Sequence, residues 1–210
     1  SKERYAGLGP WSTIPFFQAV YHQYSITYGN YSSLLIPPYD ELWPKEYAPK
    51  KPLEMLSADF NTQFLMEQAR SFVWGMQPTI ANYQAFLARD RKDEIDFLLN
   101  LARVRNQTTK YLLYGKFMRS PEIEAPVEEF GISRLSIYAG KTGNSVTAFR
   151  GTFPLLLSGT WQAENMDLGI ALASISDKPV NAKFSFSSDE YDLPSSGKII
   201  ITDTKGRREL

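Results

Sequence analysis

Residues 15–29 read PFFQAVYHQYSITYG. A short apolar run, Pro15, Phe16, Phe17, Ala19 and Val20, ends in Tyr21-His22-Gln23-Tyr24, and His22 is the only histidine in the chain. Such a run predicts a buried strand over 15–21. Its carboxyl end would hand Tyr21 and His22 to a pocket, because parallel α/β sheets gather binding groups at that end of their strands. A second run, FVWGMQP at 72–78, predicts another short buried strand, stopped by Pro78 and ending in Trp74 and Gln77.

Between these runs lies a connection, 24–52, dense in tyrosine and proline. Its prolines forbid a continuous helix or a central strand. A loop of that length in a compact domain is usually a lid or a binding loop, and Tyr39 and Trp43 suit a pocket wall as well as they suit pinning the loop down. Ser57 then reads as an N-cap, with Asp59 in the first turn and Phe60, Phe64, Leu65, Ala69 and Phe72 at helical spacing, so 58–71 is expected to be helical. A second helix is expected over 79–88. A third is expected from Arg91, with Ile95, Leu98, Leu99 and Ala102 on one face and Gly115 as its C-cap. Strand, loop, helix, strand, helices is βα order. Two such units do not close a barrel, which needs about eight, so a barrel would have most of its strands upstream of Ser1.

After Arg119 the pattern changes. Leu135/Ile137, Thr147/Phe149, Leu168/Ile170/Leu172, Ala182/Phe184/Phe186 and Ile199/Ile201 form short alternating runs, separated by Gly, Asn, Ser, Asp and Pro. Short strands between turn signals predict an antiparallel sandwich. The fold class expected is α+β: a barrel-like α/β region over 1–119 and an antiparallel β-sandwich over 120–210, with Trp161 in the inter-sheet core.

Composition narrows the function classes. Lys plus Arg is 23 and Asp plus Glu is 23, with no basic stripe to attract nucleic acid. The apolar runs fall well short of the roughly 20 residues of a membrane span. Cysteine is absent, which removes thiolate chemistry and, with a single histidine, leaves no transition-metal site and no cofactor in view. That usage, with an abrupt Ser1-Lys2-Glu3-Arg4 start, fits a processed periplasmic or secreted protein. Aromatics make up 14% of the chain, and aromatic faces stack on the C–H faces of sugar rings as readily as they fill cores. No G-x-S-x-G, Walker or dinucleotide fingerprint occurs. The cluster Asp189-Glu190-Tyr191-Asp192 lacks calcium-loop spacing and reads as surface charge.

The stretch Ser158-Gly159-Thr160-Trp161-Gln162-Ala163, then Asp167 to Ser176, resembles the accessory β-sandwich that follows the barrel in some bacterial glycoside hydrolases and hydrolase-like proteins of unassigned function, with Ser174 where asparagine is common. PFFQAVYHQY and FVWGMQP are similar to the last two barrel strands of the same proteins. The resemblance implies the C-terminal portion of a carbohydrate-active enzyme: an end of a (β/α)8 barrel whose carbohydrate site would be lined by Tyr21, His22, Trp74, Gln77, Tyr39 and Trp43. The catalytic residues are not identified. Glycoside hydrolysis needs two carboxyls, neither expected strand ends in one, and Asp40, Glu41 and Glu54 read as solvated loop acids. The family's acid and nucleophile would lie upstream, leaving this chain inactive alone. An incomplete barrel exposes apolar edges, which predicts self-association or a complementary upstream chain. The alternative is a non-catalytic glycan-binding or cell-surface module.

Overall fold

The computed structural model describes residues 15–29, 33–36, 54–55, 61–81, 83–133 and 148–210, and the side chains of these except at 36, 54, 131–133 and 148–149. The chain is α+β, with short helices in the front half and small antiparallel sheets behind. Among the described residues no helix is long and apolar enough to cross a membrane.

The stretch expected as the first strand is helical. Helix α1 spans Phe16–Tyr21 and runs into a 3₁₀ turn, His22–Tyr24. Pro15 opens it: its carbonyl accepts from Ala19 N–H at 3.0 Å, and a proline just before the first turn forfeits no helical bond. The face turned inward is polar. Gln18 and His22, one helical turn apart, are buried, whereas Phe16, Phe17, Val20 and Tyr21 face solvent. Reading the apolar run as the buried side inverted this segment.

Strands β1 (Leu35–Ile36) and β2 (Glu54–Met55) pair antiparallel. Leu34 and Leu35 sink into a small core with Phe64, Leu87 and Ile95. Helix α2 spans Asn61–Val73, so Phe72 and Val73 finish a helix rather than start a second strand. The reason is Gly75. It takes a left-handed φ of +70°, its N–H donates to Phe72 O at 2.9 Å, and Met76 N–H donates to Ser71 O at 2.9 Å. That pair of bonds is a Schellman C-cap, which glycine favours because it pays no Cβ penalty there. Beyond the cap the chain is extended. Gln77 and Tyr28 form a single parallel bridge, with Gln77 N–H to Thr27 O and Gly29 N–H to Gln77 O both at 2.8 Å. Among the described residues, 15–21 and 72–78 make no strand pairing with one another: the bridge joins Gln77 to Tyr28, beyond the first expected strand.

The helix expected over 79–88 reduces to α3, Leu87–Asp90, because 77–79 is committed to its neighbours: Gln68 donates to Thr79 O at 2.6 Å and the Thr79 hydroxyl to Gly29 O at 3.2 Å. Helix α4 covers Lys92–Gln107, with Asp93 and Glu94 in its first turn, favourable at that end of the dipole. Its inner face carries Ile95, Leu101 and Arg105, while Leu99 is exposed. Thr108 interrupts the helix, its hydroxyl donating to Val104 O at 2.8 Å, and α5 follows over Thr109–Leu112. Gly115 is not a left-handed cap.

Strands β3 (Lys116–Met118), β4 (Ile123–Glu124), β5 (Val127–Ser133), β6 (Ala148–Pro154), β7 (Leu156–Gln162), β8 (Leu168–Ser174), β9 (Lys183–Phe184), β10 (Ile200–Asp203) and β11 (Gly206–Glu209) complete the chain. All their pairings are antiparallel: β3–β7–β8, β5–β6, β4–β9 and β10–β11. β6 and β7 are separated by Leu155 alone, and its backbone joins the neighbouring sheets, donating to Pro126 O and accepting from Ile175 N–H, each at 2.9 Å.

The layer facing β7 and β8 is helical. Helix α2 packs on β5, β7 and β8, and Met66, Ala69, Phe72 and Val73 share one core with Leu101, Phe130, Phe153, Leu157, Trp161 and Ile175. This core draws on residues from both sides of position 119. Trp161 is fully buried, as expected of a core residue, but its neighbours are a helix end and a histidine rather than a second sheet.

Candidate functional site

Four elements converge on Trp161. Its indole N–H donates to Val73 O at 2.9 Å, one of the carbonyls a helix terminus leaves without an intrahelical partner. Gly159, two residues earlier on β7, permits this approach: a Cβ there would lie 2.0 Å from Val73 O. Phe117 of β3 meets the indole edge-on with centroids 4.8 Å apart. The His22 ring lies against it at 4.5 Å and 54°. Gly75 closes the slot, since a Cβ on it would come within 2.7 Å of His22 Cε1 and 2.8 Å of the indole.

Arg105 stands behind this group. It is 6% exposed, and its Nη2 donates to Gly75 O at 3.1 Å and Leu112 O at 3.2 Å, so one guanidinium ties the α2 cap to α5. With its amide oxygen turned toward Arg105, Gln77 accepts from Nη1 at 3.2 Å and Nη2 at 3.3 Å. Among the described residues Arg105 has no carboxylate partner, and its Nε has no hydrogen-bond acceptor. His22 is 3% exposed and neither ring nitrogen makes a hydrogen bond. Burial is the main force holding its pKa below the usual histidine value, and the Arg105 charge adds to it; the nearby Leu112 carbonyl pulls weakly the other way. Among the described residues the ring has no carboxylate or hydroxyl partner, and it packs against Trp161.

The residues expected to line one pocket therefore separate. Gln77 contacts the Arg105 guanidinium, and His22 packs on the Trp161 ring within reach of the same charge. Tyr21 is half exposed on the outer face of α1, its ring 5.1 Å from that of Phe17. Trp74 packs at the edge of the main core with the Arg70 guanidinium 5.5 Å from its ring centre. Tyr39 and Trp43, like Asp40 and Glu41, lie outside the described residues, as does the Glu54 side chain. Among the described residues no cluster of three or more His, Cys, Asp or Glu offers metal ligation.

The other surface with chemical character is the outside of 16–28. Phe16 (71% exposed), Phe17, Tyr21, Tyr24 (82%) and Tyr28 (69%) all present ring area to solvent. The sequence carries a signal for Arg105: lying four residues after Leu101 and seven after Leu98, it occupies a core position of α4. Nothing in the sequence pattern marks the aromatics of α1 as outward. Comparison with protein-family models, with curated proteins and with solved structures returns no match.

Proposed function

We propose that the chain is a non-catalytic glycan-binding module acting in the periplasm or outside the cell, and that the 16–28 segment is its sugar platform. The observation that carries this reading is the outward display of five aromatic rings within thirteen residues, on a segment whose polar side faces the core. Exposed rings on a braced backbone are what stacking against pyranose C–H faces requires, and contiguous exposed apolar area marks a binding surface. The likeness of 158–176 to the accessory sandwich of glycoside hydrolases supports a carbohydrate setting. The enzymatic form of that likeness, the end of a (β/α)8 barrel with its carboxylates supplied upstream, asks for strands at 15–21 and 72–77. The non-catalytic form does not.

Titration of the full chain with soluble oligosaccharides chosen from a glycan array tests the proposal. At about 1 kcal/mol per ring, the double variant Tyr24→Ala/Tyr28→Ala weakens binding about thirtyfold. Its thermal midpoint stays close to wild type, because both side chains are exposed. Absence of glycan binding by the wild type, or undiminished binding by the variant, overturns the reading.

A further inference from the structure

We propose that His22 is a pH-sensitive latch: the uncharged imidazole docks segment 15–29 onto the core formed by the sheet and helices, and acidification releases the segment. The inference is independent of the glycan reading.

Among the described residues the segment has few other holds. Its apolar side chains face outward, and Gln18 and His22 are its buried side chains. A six-residue helix has little stability of its own in water, so its order depends on that docking and on the backbone bonds of 27–29 to Gln77 and Thr79. The slot that receives His22 is closed by Trp161, Gly75 and the Leu112 carbonyl, at distances that leave no space for a backbone Cβ at Gly75. Neither ring nitrogen makes a hydrogen bond; the nearby Leu112 carbonyl favours the charged form, but burial and Arg105 oppose it more strongly.

The charges around the slot make protonation worse. Helix α4 contributes Arg105, buried and without a described carboxylate. On α5, Lys110 is engaged by Asp167 and lies 4.7 Å from the Tyr111 ring centre. Lys116 of β3 is exposed. Arg70 near the end of α2 is turned onto Trp74. β7, the 74–75 turn and α1 itself carry no charged side chain. Of these groups only Arg105 acts on the ring, and it repels a proton. A second cation beside a buried, uncompensated one is costly. The released state binds the proton more readily than the docked state. Docking is therefore fully favourable above the ordinary histidine pKa of about 6.5 and weakens as pH falls below it, until the docked-state pKa has been passed.

Because the chain has one histidine, its imidazole NMR signals report this site without ambiguity, and amide hydrogen exchange reports the segment. Between pH 7.5 and 5.5, with intrinsic rates corrected, exchange at Ala19, His22, Ser25 and Gly29 is expected to accelerate several-fold, while mid-α4 amides do not change. His22→Phe, which keeps a ring in the slot, is expected to abolish that acceleration. Acceleration that persists in His22→Phe overturns the proposal. Where that variant does not fold, the wild-type titration decides: an imidazole that titrates at or above the ordinary value, with the segment still protected once it is charged, overturns it equally.

Discussion

Trp161 touches four separate parts of the chain: the Val73 carbonyl, the His22 ring, the Phe117 ring and the space above Gly75. Its burial matches the core place expected of it. Its neighbours were not legible in the sequence, because no spacing within 156–162 says whether a helix or a sheet lies opposite. Trp161→Phe keeps an aromatic ring but leaves a void and strips Val73 O of its donor in a closed interior. The expected cost is about 3 kcal/mol, read as a lower urea midpoint at unchanged slope. His22 and Arg105 make the complementary point. A lone histidine after apolar residues and an arginine on an apolar helix face each invite a functional reading. Here the two act on each other, one neutral and one charged, around the cap of α2.

At the scale of elements, runs of four to eight apolar residues fit a buried strand and a short helix equally well. In the front half the first such run went to helix, and the second ends helix α2 at Val73 before a cap and an extended bridge at Gln77. In the second the deciding residue was visible: Gly75 inside FVWGMQP is where a helix can end in a left-handed cap, and the two bonds of that cap are present. In the first no local residue decides, since the inward turn of His22 depends on the slot that Trp161 and Gly75 leave. The back half was more readable. β8 and β10 fall on the runs expected from Leu168 and Ile199, because glycine, asparagine and serine turns fix where antiparallel strands end. The run at Leu135 and Ile137 lies outside the described residues. The contact between β7 and the end of α2 rests on one missing side chain. Gly159→Ala forces a methyl against the Val73 carbonyl and is expected to destabilise by about 3 kcal/mol in urea unfolding. Gly197→Ala, where nothing lies within 4 Å, is expected to stay within about 0.5 kcal/mol of wild type.

Across the whole molecule, the main core recruits α2 and α4 from ahead of position 119 and β5 to β8 from behind it. Composition changes near that position, which is why two regions were read there. Side chains from both meet in the interior all the same: α2 turns Met66, Ala69 and Val73 to the strands, and β7 turns Leu157 and Trp161 to the helix. This shared interior makes helices and sheet one cooperative unit, pinned at Trp161. Native-state hydrogen exchange across a urea series measures it directly. The most protected amides of α2, α4, β7 and β8 should converge on a single opening free energy with a single urea dependence. Two separate classes, one for amides ahead of residue 119 and one for those after it, would contradict the account.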